Sequence, residues 1–306
     1  MILASGALVR APFFRTAALA MGVSAFLAAC GGGGGGDAGP PAGFGSTPTS
    51  PSPVARPLAP GAELPPTLRS PQPGSTVLTG NDTQGIYENM HGFTFVSSKG
   101  RLIYKDVSQW IFGSVEIDGS NWKFRVPTMS RDSRFDRLDL VSGSGKFEFR
   151  KSMNGSYTRY GENSASQLSA LTYSAANALA VTQNDLAGKW TADSADFGMS
   201  IEVDASGAIT GRTTGSQMGM CNLSGTIVQT ESGTSRNLFD VRFSVTNAAS
   251  GAEKACYVPD GRTFVGLGGV VMLPVSIFDE EGAYRTLYFH SATDTFAVLT
   301  NGLRKQ

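Results

Sequence analysis

Short segments in which hydrophobic and polar residues alternate fill the chain from residue 81 onward, and turns rich in glycine separate them. Residues 121–126 alternate without interruption, so Trp122, Phe124 and Val126 are expected on one face of a β-strand. Hairpin turns are indicated by two dipeptides, Asp118-Gly119 and Asn154-Gly155. The spacing of these segments, about 8–12 residues, is typical of an antiparallel barrel or sandwich.

The second half of the chain repeats this pattern. Residues 221–227 and 239–245 carry apolar side chains at alternate positions, and further segments bring the expected strands after residue 185 to about eight. The sequence therefore predicts an all-β protein with two small antiparallel meander β-barrel-like domains after a disordered tether. The predicted regions are a signal peptide at 1–29, a Gly/Pro/Ser tether at 30–80, an N-terminal β domain at 81–163, a linker or short helix at 164–184 and an eight-stranded barrel-like domain at 185–306.

The composition agrees with this fold class. Only 16% of the 306 residues are charged, and 38 are glycine, as in β-rich proteins that function outside the cytoplasm. The formal net charge is zero, so no global electrostatic argument favours a nucleic acid. We therefore expect no nucleic-acid partner.

The amino terminus has the features of a secretory signal. Arg10 and Arg15 precede an apolar run at 16–27, which is too short to cross a bilayer of about 30 Å as a stable helix. Residues 27–30, Leu-Ala-Ala-Cys, resemble the bacterial lipobox, Leu-(Ala/Ser)-(Gly/Ala)-Cys. The resemblance implies cleavage before Cys30, attachment of a diacylglyceryl group to its thiol and acylation of the new amine. An ordinary signal peptide with an incidental cysteine is the alternative.

Lipidation would determine where the protein resides. Acyl chains on both the thiol and the amine would make membrane attachment effectively permanent, because two chains already anchor a protein stably. Gly31 follows the cysteine, whereas an inner-membrane retention signal typically places Asp there. The expected location is the outer membrane, with lipid-anchored display at the cell surface favoured over the periplasmic face.

Residues 31–80 contain eleven of the fifteen prolines and almost no aliphatic pattern, which predicts a tether without a core. Cys30, six glycines and a Pro/Ala/Ser-rich stretch together resemble the start of neisserial-type surface lipoproteins. That resemblance implies one or more small β-barrels after the tether, and it implies binding of host molecules.

The predicted lipidation of one cysteine determines how the other two can pair. With Cys30 lipidated, Cys221 and Cys256 remain in a chain that reaches an oxidising compartment, so we expect a disulfide between them. Two reduced, buried thiols are the alternative. A disulfide that closes a loop of about 35 residues would stabilise the fold by roughly 3–4 kcal/mol in the chain-entropy model. We expect no metal or cofactor, because the two cysteines lack a CxxC partner and the only histidines are His91 and His290.

Basic residues are frequent in the N-terminal β domain. The candidates for anion binding are Lys123, Arg125, Arg150 and Lys151. One interpretation is a patch for a host macromolecule or an anionic polysaccharide. The other, which we favour, is a set of ordinary strand faces on which Lys and Arg stay solvated and protect sheet edges.

Residues 188–190, Gly-Lys-Trp, resemble the Gly-x-Trp that opens the first strand of lipocalins and related calycin barrels. The resemblance implies that Trp190 lies in the core at the barrel base beneath a late arginine, for which Arg304 is the candidate. Residues 85–87 are a candidate for the equivalent start of the first domain. Residues 186–190 followed by one disulfide are also similar to small periplasmic metalloprotease-inhibitor barrels, although the free N-terminal arm of those inhibitors would be occupied here.

Sequence motifs of common catalytic sites are missing. The chain has no Gly-x-Ser-x-Gly, Walker loop or HExxH, and His290 lies near the end of a predicted strand, where a structural histidine is the safer interpretation. We expect no catalytic residue. The favoured function is an outer-membrane-anchored, non-catalytic lipoprotein that acts as a surface binding or adhesion module. The alternative is a periplasm-facing, lipocalin-like carrier or a protease-inhibitor-like barrel.

Overall fold

A computed structural model describes residues 57–132, 137–192, 198–214, 218–248, 256–258, 261–274, 282–293 and 298–306. Two closed β-barrels, one after the other along the chain, contain most of these residues. Cys30, the predicted signal peptide and the first part of the predicted tether lie outside them. Within the described part of the chain, no helix has the length and hydrophobicity needed to span a bilayer.

The first barrel consists of β1 Gly85–Asn89, β2 Gly92–Val96, β3 Arg101–Lys105, β4 Gln109–Asp118, β5 Asn121–Asp132, β6 Arg137–Glu148, β7 Ser152–Arg159 and β8 Ser166–Tyr173. Each strand pairs antiparallel with the next one along the chain. The barrel closes between β1 and β8, where Tyr87 pairs with Tyr173 and Glu88 pairs with Thr172. Alternation of buried and exposed residues along these strands produces an apolar cluster inside the barrel, as the sequence pattern predicts.

The second barrel consists of β9 Gly188–Ala192, β10 Met199–Val203, β11 Ala208–Thr213, β12 Cys221–Gln229, β13 Phe239–Asn247, β14 Arg262–Pro274, β15 Ala283–Ala292 and β16 Val298–Lys305. It has the same meander order and closes between β9 and β16 through the pairs Trp190–Lys305 and Thr191–Arg304. The predicted all-β fold with two antiparallel meander barrels is therefore confirmed.

The predicted linker at 164–184 needs correction. Strand β8 occupies 166–173 and completes the first barrel, because Leu168 and Leu171 are buried in its interior. A short helix does follow, a single 3₁₀ turn at Ala175–Ala178, and helix α2 at Gln183–Leu186 leads into the second barrel. The first domain thus extends to Tyr173 rather than ending at 163.

The described end of the predicted tether, residues 57–80, is ordered rather than disordered; we call it the strap. Glu63 forms paired backbone hydrogen bonds with Ala283 of β15, both 2.9 Å long. Its carboxylate also binds the Arg285 guanidinium through two oxygens, at 2.9 and 3.0 Å. Helix α1, Thr76–Thr79, ends the strap, and the buried Thr76 hydroxyl accepts a hydrogen bond from the Asn237 N–H at 3.0 Å. The prediction of a tether to residue 80 is therefore wrong from residue 57 onward.

A third apolar cluster lies between the barrels. Ile86, Phe95 and Ile103 on the outside of the first barrel pack with Leu267 and Val271 of the second, and all five are at most 3% exposed. Residues 54–306 accordingly form one compact unit. Burial of this apolar surface holds the two barrels together.

Candidate functional site

Alternate loops of an up-and-down barrel lie at the same end. In the first barrel this brings together the loops at 90–91, 106–108 and 160–165, which we call the rim. The turns at 97–100 and 119–120 lie at the opposite end, where the chain also enters β1.

Each of the three rim loops exposes one large apolar side chain. Met90 is 89% exposed, Tyr160 is 84% exposed and Val107 is 67% exposed. The loops are held by hydrogen bonds, such as the one from the Tyr160 N–H to the Leu140 carbonyl at 2.8 Å. A single exposed apolar residue is ordinary, but several on neighbouring loops mark a surface suited to an interaction.

The loop at 106–108 is held in place by a lysine below it. The Lys105 ammonium donates to the carbonyl oxygen of Val107 at 2.9 Å and to that of Asp106, and it lies 4.7 Å from the centre of the Trp110 ring. Burial lowers the pKa of Lys105, an effect that the nearby Asp106 carboxylate opposes. The rim is therefore a supported surface rather than a set of free loops.

His91, Asp106 and Ser169 meet beside the rim, but their order differs from that of a catalytic triad. The Ser169 hydroxyl donates directly to Asp106 Oδ2 at 2.7 Å, while His91 Nε2 lies 3.4 Å from Oδ1. Burial raises the pKa of Asp106, but hydrogen bonds from Ser169 and the Val107 N–H outweigh that effect and leave the pKa below its usual value. A serine nucleophile needs the histidine beside its hydroxyl to accept the proton. Here the carboxylate occupies that position, so the group ties β8 to the rim without activating Ser169.

A buried charged network lies under the rim, inside the barrel. Arg159 on β7 is 15% exposed, and its guanidinium lies 3.6 Å from the carboxylates of Asp132, Asp139 and Glu162. Asp132 is 2% exposed. Among the described residues, Arg159 Nε has no hydrogen-bond partner. Such groups are costly to bury, so their presence at one end of a barrel is a feature that stability alone does not explain.

Further polar groups lie at this end of the first barrel. Arg137 binds Asp139 at 2.7 Å and Glu162 at 2.8 Å, and these bonds, the one to Asp139 first, raise the pKa of Arg137. Below the network, the Gln109 amide donates to the Ser130 hydroxyl at 2.7 Å and the Tyr157 hydroxyl donates to the Gln109 carbonyl oxygen. The first barrel thus changes from apolar to polar toward the rim.

The four predicted anion-binding residues lie away from the rim and do not converge. Lys123 and Arg125 lie on β5, 3.5 and 3.9 Å from the two oxygens of Glu116. Two further ion pairs hold the others, Arg150 with Asp82 at 3.9 Å and Lys151 with Glu148 at 2.6 Å. An open groove of about 520 Å³ beside Lys123 contains Lys146, but also Glu116 and Asp118. Both signs of charge are therefore present wherever these cations lie.

The other predicted site residues have mixed outcomes. The Cys221–Cys256 disulfide is present. Trp190 is fully buried, and its indole N–H donates to the Leu186 carbonyl at 2.7 Å. Arg304 is the wrong cation, because Lys305 lies over the Trp190 ring at 5.5 Å whereas Arg304 stacks on Tyr284 at 3.3 Å. Side chains alternate along β16, so the partner of Trp190 across the sheet is Lys305 and its neighbour Arg304 faces outward.

His290 is a buried structural residue between the barrels. It is fully buried, and its Nε2 donates to the Phe93 carbonyl oxygen of the first barrel at 2.7 Å. Burial lowers the pKa of His290 to about 3. It is therefore neutral at physiological pH.

Where the structure describes it, the interior of the second barrel is closely packed. Nine apolar side chains, among them Met199, Phe243 and Phe289, leave a cavity of about 10 Å³. That is the space of a single water, far below the roughly 300 Å³ of a small-molecule site. Among the described residues, no cluster of three or more His, Cys, Asp or Glu side chains is arranged to hold a metal ion.

The rim and its network were not identified from the sequence, although signals exist. Tyr160 immediately precedes Gly161 and Met90 lies two residues before Gly92, both in turns where polar residues are more usual. Asp139 and Arg159 share the inward parity of Val141 and Tyr157, so strand alternation alone places charge inside the barrel. Comparison with protein-family models, curated proteins and solved structures yields no match to this chain. Function is therefore inferred from the residues themselves.

Proposed function

We propose that the protein is a lipid-anchored, non-catalytic binding module of the outer membrane that contacts a macromolecular partner through the rim of its first barrel. The observation that carries this proposal is the exposure of Met90, Val107 and Tyr160 on three loops at one end of the barrel. Supported loops that expose apolar groups above a polar interior suit recognition better than they suit folding stability.

The anchor rests on the sequence of residues 27–30 and its likeness to a lipobox. Between Cys30 and the first described residue of the strap lie 26 residues, 31–56. At about 3.1 Å per residue, a fully extended span of that length reaches roughly 80 Å. That reach is enough for display above a membrane and is shorter than a tether continuing to residue 80.

A protein partner fits the rim better than an anionic polysaccharide. The three largest exposed side chains at the rim, those of Met90, Val107 and Tyr160, are apolar, and the charges beneath it include both Arg159 and three carboxylates. The four basic candidates elsewhere each lie within 4.0 Å of a carboxylate. Apolar and aromatic groups surrounded by charged ones are typical of protein interfaces. A small-molecule carrier role receives no support from the 10 Å³ cavity of the second barrel.

Photo-cross-linking on intact cells tests the binding surface. A benzoyl-phenylalanine residue is placed at Met90, Val107 or Tyr160, and control positions are Leu64 and Leu78, which are 68% and 54% exposed on the strap. We expect one partner to be captured from the three rim positions and not from the controls.

The captured partner is then purified and titrated against the protein and against a variant with Met90→Ser, Val107→Ser and Tyr160→Ser. We expect at least a tenfold loss of affinity, because the central apolar residues of an interface carry most of its binding energy. Equal affinity of the variant, or capture only from Leu64 and Leu78, would exclude the rim. Salt-sensitive binding to heparin that the triple variant retains would instead favour an anionic polysaccharide.

The anchor has its own test. Mass spectrometry of the native product should find an acylated N-terminal peptide beginning at Cys30, and Cys30→Ser should move the protein from the detergent phase to the aqueous phase. Surface display predicts cleavage by protease added to intact cells. An unmodified N-terminal peptide would refute the lipid anchor and leave the rim untouched.

A further inference from the structure

A cleft of about 220 Å³ lies where the strap, both barrels and the 3₁₀ turn meet. Pro65 and Pro66 of the strap form one wall, and Phe93 of the first barrel with Val271 and Met272 of the second form the others. We call it the inter-barrel cleft. None of its described lining residues belongs to the rim, although Glu88 and Phe93 lie on the two strands joined by the rim loop at 90–91, and its apolar walls come from three parts of the chain.

One carboxylate lies among these apolar walls. Glu88 of β1 lines the cleft, and its Oε2 accepts a hydrogen bond from the Ser174 hydroxyl at 2.7 Å. Ser174 is buried, so this bond fixes the orientation of the carboxylate. Among the residues that the structure describes, no Lys, Arg or His nitrogen lies within 4.0 Å of Glu88. This differs from the ion-paired carboxylates Glu116 and Glu148 elsewhere on the first barrel.

The walls of the cleft are held in position. The Phe93 carbonyl accepts the hydrogen bond from buried His290, and its ring packs edge-on against Tyr288 with centroids 5.0 Å apart. Pro65 and Pro66 follow Glu63, which is bound to Arg285 and to the Ala283 backbone. A preformed cleft lowers the entropic cost of binding because little has to be ordered when a ligand enters.

From these features we propose that the inter-barrel cleft binds a small organic cation, an ammonium group on an apolar body. The ammonium lies against Glu88, and the apolar body packs between Phe93 and the two prolines. An aromatic ring beside a carboxylate is the combination that recognises organic cations. The cleft is smaller than the roughly 300–1,000 Å³ of drug-sized sites, which limits the ligand to a short amine or the end of one basic side chain.

Titration calorimetry on the full chain in detergent micelles tests this site with phenethylamine and its neutral analogue 2-phenylethanol. We expect the amine to bind at least about tenfold more tightly than the alcohol, because only the amine forms a charge-assisted contact. A third probe, acetyl-lysine-methylamide, carries its charge on a side chain within a peptide unit and so represents a basic residue of a partner protein. Tighter binding of this probe than of phenethylamine assigns the cleft to a partner protein. Tighter binding of phenethylamine assigns it to a free amine.

Two variants test whether Glu88 and the cleft account for the binding of the amine. Glu88→Gln keeps an acceptor for Ser174 and should lose at least about tenfold in amine affinity without a change in Tm. Ala175→Trp, at an exposed residue that lines the cleft, should fill it and abolish binding of phenethylamine and of acetyl-lysine-methylamide. Glu202→Gln, an exposed carboxylate on β10, is the matched control and should bind like the native chain. Equal affinity for amine and alcohol, or unchanged affinity in Glu88→Gln, would overturn the proposal whatever the rim binds.

Discussion

The two barrels share a strand number, a meander order and a closing pair between first and last strands, yet their interiors differ. The second packs a large apolar cluster, with Trp190 at the base and a stack of Phe243 on Phe264, and its buried polar residues Thr213 and Gln229 are uncharged. The first begins apolar around Trp122 and becomes charged toward the rim, where Arg159 lies among three carboxylates.

That difference indicates a division of roles. An apolar interior maximises the hydrophobic contribution to stability, whereas ion pairs out of water rarely stabilise a fold as much as well-packed apolar residues would. The second barrel is therefore the better candidate for a supporting element, and the first barrel for the functional one. Substitutions that separate stability from binding test this division.

The largest effect is expected in the core of the second barrel. Phe243→Ala should lower the free energy of unfolding by about 3–5 kcal/mol, because it leaves a cavity against Phe264 and Phe289. Urea denaturation measures the change. Phe149→Ala, at a residue 49% exposed on the first barrel, is the control and should change the free energy by less than about 1 kcal/mol. Similar losses in the two variants would contradict the proposed role of the second barrel.

Breaking the charged network should be the next largest effect. Arg159→Met should destabilise the protein by about 3 kcal/mol, because it removes a guanidinium from beside the buried Asp132 and leaves Asp139 and Glu162 with the exposed Arg137. Arg137→Met removes an exposed guanidinium from Asp139 and Glu162 only and should have a measurably smaller effect. The order of the two chemical-denaturation midpoints is the readout, and the reverse order would show that the network is not held by Arg159.

The contact between the barrels should be sensitive to acid. The pKa of His290 is about 3 in the folded protein and about 6.5 in the unfolded chain, so the unfolded chain binds the proton more readily. The contribution of neutral His290 is therefore present above pH 6.5 and is lost as the pH falls toward 3. The loss between pH 7 and pH 4.5 should be about 2–3 kcal/mol. His290→Gln should show a correspondingly shallower fall in stability over this range; an identical pH profile would refute the assignment.

The smallest effects separate the two cations at the end of β16. Lys305→Met should cost about 1 kcal/mol, because it removes a hydrogen bond to the Asp185 carbonyl, 2.6 Å long, and a contact with Trp190. Arg304→Met should cost about 0.5 kcal/mol, because it removes only a surface contact with Tyr284. Thermal unfolding of the two variants side by side is sufficient. A larger loss in Arg304→Met would restore arginine as the residue that supports the barrel base.

Sequence periodicity was sufficient for the fold class but not for its irregular positions. Trp122 and Phe124 are buried as predicted, whereas Val126 is 87% exposed because the pairing of β5 with β6 shifts register between Lys123 and Met129. Asn154-Gly155 does not form a hairpin. It lies inside β7, where a Cβ at Gly155 would come within 2.6 Å of the Trp122 ring. A local turn signal cannot reveal a glycine needed for close approach by a residue on another strand.

The strap and the rim illustrate a second limit of sequence analysis. The proline-rich composition of residues 57–80 predicts a tether, and only the position of Arg285, 222 residues after Glu63, shows what it binds. Likewise, the three rim loops are brought together by barrel closure, which no local pattern encodes. The ordered strap and the assembled rim therefore both depend on contacts between residues far apart in the sequence, which local composition does not reveal.

The docking of the strap on β15 also has a mechanical consequence. A pull applied to the chain before residue 57 would act first on residues 58–63, where Ala59 is buried and Glu63 pairs with Ala283 and Arg285, before any load reached β1. The contacts between the strap and β15 would slide apart before strands separated in either barrel. The strap would thus carry such a load itself and protect the neighbouring β1–β2 hairpin, and with it the rim, from distortion.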